Sequence, residues 1–117
     1  MLSNKLKFKK VVIITGRSDL RKGIDGFANM LQYNFNIDPF EEDVLFMFCG
    51  RSSSKIKGLL WDGDGFVLLS KRLESGRYQW PRTESEAKDI TEEQFKLLIH
   101  GFNIISTIKP IEKKLSI

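Results

Sequence analysis

The chain has 117 residues, 41% of them hydrophobic and 29% charged, a globular composition sized for one domain. One cysteine, Cys49, and one histidine, His100, exclude an intramolecular disulfide and a Cys-His zinc centre, and no apolar run approaches the ~20 residues of a membrane span. The net charge of +4 is sided: residues 1–22 hold seven cations against one acid, 51–82 seven against three, and 84–93 five acids against one lysine, which suits an anionic partner such as nucleic acid.

Alternation over 5–9 and the β-branched run 11–15 predict an opening strand near 8–15, closed by Gly16. The apolar part of this stretch is shorter than the ~7–15 residues of a signal-peptide core, so a cytoplasmic location is expected. From 19 to 34, Leu20, Ile24, Phe27 and Leu31 recur at helical spacing, with Ser18 placed as N-cap and Asp19 favoured in the first turn. Gly23 and Gly26 within that stripe each cost about 1 kcal/mol against alanine. Either another backbone packs closely there, or the regular helix begins only near Asp25. Arg21 and Asp25 stand one turn apart, as a surface ion pair would.

Asp38-Pro39-Phe40 reads as a turn, and the continuous apolar run 44–49 as a strand near 43–49 buried on both faces. After a turn over 50–54, segments 55–61 and 66–73 form a hairpin around Asp62-Gly63-Asp64-Gly65. Its register pairs Trp61 with Phe66, Leu59 with Leu68, Lys57 with Ser70 and Lys55 with Arg72. One face then carries those four pairs; the other carries Ile56, Leu60, Val67, Leu69 and Lys71. Lys55 opposite Arg72 is a like-charge pair, which destabilises a sheet unless an anion compensates. Arg51, Lys55, Lys57, Lys71, Arg72 and Arg77 all gather at the hairpin's open end. Tyr78 and Trp80 follow, either as aromatic surfaces beside these cations or as core.

Thr91 and Gln94 form a capping box, Ile90 and Phe95 a hydrophobic staple, and Phe95, Leu98, Ile99 and Phe102 the stripe of a second helix near 91–101. Gly101 is placed to stop it, and His100 in its last turn reads as a dipole partner rather than a catalytic base. The fold expected is α+β: a small, mainly antiparallel sheet of four strands packed with two helices. Residues 1–102 form the domain, and 103–117 a tail that is loosely ordered or docks on a partner.

Three chemical motifs fail on inspection. In a calcium loop opening at Asp62 the required glycine position is Val67 and the twelfth is Leu73. Gly23 and Gly26 have neither the spacing nor, on the sequence pattern, the strand-to-helix context of a nucleotide loop. Cys49 sits mid-strand as inert core. A two-metal site would need Asp19, Asp25, Asp62 and Asp64 to converge. No cofactor, metal or catalytic residue is assigned.

The segments 18–27, 45–48, 55–57 and Trp61-Asp62-Gly63-Asp64-Gly65-Phe66, with Lys71-Arg72-Leu73-Glu74, Gly76-Arg77-Tyr78 and Trp80-Pro81, closely resemble the small TnpB accessory proteins of the insertion-sequence sixty-six (IS66 Orf2-like) family. The resemblance runs from about 11 through 101. It implies a bacterial mobile-element protein, encoded beside a separate transposase and needed for transposition, without an assigned catalytic activity. The family's cluster of cations after the second strand stands here as Arg51-Ser52-Ser53-Ser54, and the aromatic residue after its last helix as Ile104 or Ile105.

The resulting expectation is a non-catalytic accessory protein that binds element DNA, the transposase, or both. Arg21, Lys22, Arg51, Lys55, Lys57, Lys71, Arg72 and Arg77 are the candidate phosphate contacts, and Trp61, Phe66, Tyr78 and Trp80 the candidate partner contacts. The alternative is a module that docks on the transposase, or on a second copy, through the apolar face of Trp61, Phe66, Leu59 and Leu68. Neither reading involves a membrane.

Overall fold

The computed structural model describes residues 8–84 and the backbone of 111–114. Strands β1 (Lys10–Ile14), β2 (Val44–Cys49), β3 (Lys55–Trp61) and β4 (Phe66–Arg72) form where the residue pattern puts them. A fifth, β5 (Ile111–Lys114), lies within the segment read as a tail and completes a sheet of order β4-β3-β2-β1-β5. One helix, α1 (Gly23–Asn34), is described; the second expected helix, near 91–101, lies outside the described residues.

The sheet is mixed, not mainly antiparallel. β2 with β3 and β3 with β4 are antiparallel, but β1 runs parallel to both β2 and β5. The reason is the crossover: α1 returns the chain to the starting end of β1, so β2 must run the same way. Strands buried on both faces read as unbroken apolar runs, and Val11 through Ile14 and all of β2 are buried. The hairpin has the register read from sequence, Lys55 opposite Arg72 through Trp61 opposite Phe66.

Two apolar layers flank the sheet. On one face Phe27, Met30 and Leu31 of α1 cover Val12, Ile14, Phe46, Phe48 and Leu59, with the Phe27 and Phe48 rings 4.4 Å apart. Full burial of Phe27 and Leu31 contributes about 1.5–3 kcal/mol each. On the other face Val11, Ile13, Leu45, Met47, Ile56 and Leu60 pack with Phe8 and Trp80. Trp80 is therefore core, and its indole N–H donates to the Ile14 carbonyl at 2.9 Å.

The entry to α1 departs from expectation. Asp19, not Ser18, caps the 3-10 turn that leads into it, accepting from the Arg21 N–H at 3.0 Å. Leu20–Lys22 is a 3-10 turn, and the regular helix begins at Gly23, whose φ of +73° suits glycine. Gly26 answers a close approach: a Cβ there would lie 2.6 Å from Lys22 Cβ. Arg21 consequently pairs with Asp19 two residues back rather than with Asp25.

Candidate nucleic-acid interface

Ligands of open sheets with parallel strands gather outside the carboxyl ends of those strands. Here the loops leaving β1 and β2 meet. The Ser18 N–H donates to the Cys49 carbonyl at 2.8 Å. The Leu20 side chain lies against Gly50, where a Cβ would come within 2.9 Å of Leu20 Cδ1. Between the loops is a cleft of about 390 Å³, lined by 18–21 on one side and by Gly50, Arg51, Ser52 and Lys55 on the other. Gly23 and Gly26 thus do have a strand-to-helix context, although the phosphate-loop spacing is absent.

The cleft's electrostatics are uneven. Asp19 holds Arg21 through a two-point contact, Nε to Oδ1 at 2.9 Å and Nη2 to Oδ2 at 3.0 Å. These bonds and the Arg21 backbone N–H hold the Asp19 carboxyl well below the usual carboxylate range and raise Arg21. Arg51 and Lys55 are exposed and have no carboxylate partner among the described residues. Of the like-charge pair, Arg72 reaches Glu74 at 3.3 Å, so part of the compensating anion belongs to the chain itself.

The eight candidate phosphate contacts are thus sorted by the fold. Arg21, Arg51 and Lys55 line one cleft. Half-buried Lys57 and exposed Arg72 stand on the same sheet face as Lys55, whereas Lys71 projects from the opposite face. Lys22 and Arg77 are exposed without lining the cleft. Arg77 lies where the Tyr78 N–H donates to the Ser53 carbonyl at 2.7 Å, folding the 73–78 loop onto the β2–β3 turn.

Of the aromatic candidates, Trp80 is removed from the surface by its burial. Tyr78 is half-buried against the core, its hydroxyl enclosed with no hydrogen-bond partner among the described residues. Leu59 is fully buried, and Leu59 and Leu68 pack in the α1 layer, which closes half of the apolar face offered for docking. Trp61 and Phe66 remain half-exposed and are joined by Phe40, 51% exposed, with ring centroids 4.9 and 5.0 Å from theirs. Phe40 was missed because a lone aromatic in a Pro turn belongs to no periodic pattern. Asp19, Asp25, Asp62 and Asp64 form no metal-holding group among the described residues. The Cys49 thiol is buried and pushed up by desolvation, only partly opposed by Arg17 Nη1 at 3.7 Å.

Comparison with known proteins adds an independent observation. A family model described as IS66 Orf2 like protein matches residues 9–109. The uncharacterized protein y4hO of Sinorhizobium fredii (strain NBRC 101917 / NGR234) is 37% identical over 94 residues, 80% of this chain and 81% of that protein. The uncharacterized protein y4jC of the same strain is 29% identical over 94 residues, 80% of each chain. No solved structure matches. No helix among the described residues is long and apolar enough to cross a membrane.

Proposed function

Because the chain belongs to the IS66 Orf2-like family of insertion-sequence accessory proteins, we propose that it assists transposition in the bacterial cytoplasm without catalysing it, by holding element DNA for the transposase. The observation that carries this reading is the convergence of Arg21, Arg51 and Lys55 on one cleft, with Lys57 and Arg72 on the adjoining sheet face. Cations so placed neutralise successive phosphates and release their counterions. The test is duplex binding against salt. Affinity should fall linearly on logarithmic axes, and Arg51→Ala and Lys55→Ala should each reduce the slope by about 1. Negligible binding at low salt would remove DNA from the reading.

A second reading, contact with the transposase itself, is favoured by one feature. Phe40, Trp61 and Phe66 form an aromatic cluster at the opposite end of the hairpin, with Phe40 half outside it. Exposed aromatic anchors of this kind dominate protein interfaces. Co-purification with the transposase, lost on Trp61→Ala while the fold survives, supports docking; retention of the complex counts against it.

A further inference from the structure

We propose that the cleft between the 18–22 and 50–55 loops is a discrete site for a single nucleotide phosphate, with Arg51 and Lys55 as standing ligands and Arg21 as a third ligand that Asp19 holds in reserve. This rests on the DNA reading above and specifies how one phosphate would be gripped. A basic surface that merely attracts DNA needs no concavity, but these cations come from two loops fastened edge to edge. The Ser18–Cys49 backbone bond of 2.8 Å and the packing of Leu20 on Gly50 fix the separation of the walls. The volume, about 390 Å³, falls within the ~300–1,000 Å³ range of small-ligand sites, which leaves room for a phosphate together with its sugar.

Asp19 is the feature that a plain basic patch would lack. Its carboxylate uses both oxygens on the Arg21 guanidinium, the fork geometry by which arginine would otherwise grip a phosphate. Its Oδ1 also takes the Arg21 backbone N–H, so the carboxylate is fixed by the helix cap and cannot swing away freely. Asp19 and an incoming phosphate compete for one guanidinium. Arg51 and Lys55, having no carboxylate among the described residues, are available without such competition.

This competition predicts opposite signs for substitutions within one cleft. Asparagine at position 19 keeps an oxygen to cap the 3-10 turn but loses the charge that holds Arg21. Asp19→Asn should therefore tighten phosphate binding about two- to fivefold, the span of an exposed ion pair released. Lys55→Ala and Arg51→Ala should each weaken it about tenfold or more, as loss of a charge-assisted bond does. Asp64→Asn changes net charge identically but lies in the hairpin turn, and should leave binding unchanged.

The experiment is a titration of the full chain with inorganic phosphate at constant ionic strength, balanced with chloride, following backbone amide resonances of 18–22 and 50–55. Parallel titrations use single-stranded oligonucleotides with and without a 5′-phosphate. Saturable shifts confined to those loops, with the signs above, support the site. A preference for the phosphorylated end identifies a terminal monoester, and equal affinity a backbone diester. Shifts scattered over all lysines and arginines, or Asp19→Asn and Asp64→Asn acting alike, would overturn it. Duplex binding that survives with no cleft response would sink this site but not the DNA reading. Phosphate bound in the cleft without duplex affinity would do the reverse.

Discussion

Replacing Trp80 by phenylalanine removes one polar group from a well-defined place. The indole N–H donates to the Ile14 carbonyl at 2.9 Å, where β1 ends between β2 and β5, and the side chain is buried in the layer opposite α1. Removing the donor from this buried carbonyl costs about 1–3 kcal/mol. The ring is also smaller, leaving a void; Trp80→Phe should cost about 2–4 kcal/mol in all. With a urea slope of about 1–3 kcal/mol per molar, the midpoint should fall by between about 0.7 and 4 M. Trp61→Phe is the control, since that ring is half-exposed at the hairpin's tip and donates no hydrogen bond to a described residue. Equilibrium unfolding of the two variants beside the parent decides the matter. If Trp80→Phe lost no more stability than Trp61→Phe, the Trp80–Ile14 hydrogen bond would not tie the 77–81 segment to β1.

Two further outcomes follow from the same geometry. Gly26→Ala should destabilise by about 1–3 kcal/mol, because the new Cβ would press on Lys22 Cβ at 2.6 Å; a higher melting temperature, the ~1 kcal/mol gain expected of an unobstructed helix, would refute the contact. Burial raises the Cys49 thiol, so the folded chain keeps a proton that the unfolded chain releases above about pH 8.5. The folded state then binds more protons, and the Cys49 contribution, complete below about pH 8.5, declines as pH rises through that value. The stability difference between the parent and Cys49→Ala should therefore narrow between pH 7 and pH 10, and a constant difference would contradict the desolvation assigned to this thiol.

The hairpin was legible because two local signals agree. Alternation fixes which side chains share a face, and Asp62-Gly63-Asp64-Gly65 fixes the turn about which they pair; together they determine that Lys55 faces Arg72. Alternation does not identify a strand's neighbour. The apolar run of β2 indicated two-sided burial, but the parallel pairing of β1 with β2 depends on the path of α1, a property of the whole chain. β5, Ile-Glu-Lys-Lys, has little apolar pattern, and its place beside β1 is set by main-chain pairing. Trp80 and Phe40 are single aromatics in irregular segments, where no period distinguishes core from surface. The Asp19–Arg21 pair does not follow helical spacing because it belongs to a cap and a 3-10 turn, where residues two apart meet.

The candidate site divides along the same line. Arg21, Arg51 and Lys55 were each nominated from charge, yet charge alone could not distinguish them from Lys71, which projects from the opposite sheet face. What distinguishes them is that the loops after β1 and β2 leave parallel strands at the same end and touch through Ser18, Cys49, Leu20 and Gly50. Concentrating cations there opposes folding: Lys55 faces Arg72, and Glu74 offsets only Arg72. The stabilising burial lies elsewhere, in β1, β2 and the Phe27–Phe48 layer, so the end of the sheet can carry an unfavourable charge without threatening the core. Groups that oppose folding where a stable core tolerates them are a common signature of sites kept for binding. On that reasoning the unsatisfied cations of this cleft, more than the net charge of +4, mark where an anionic partner would bind.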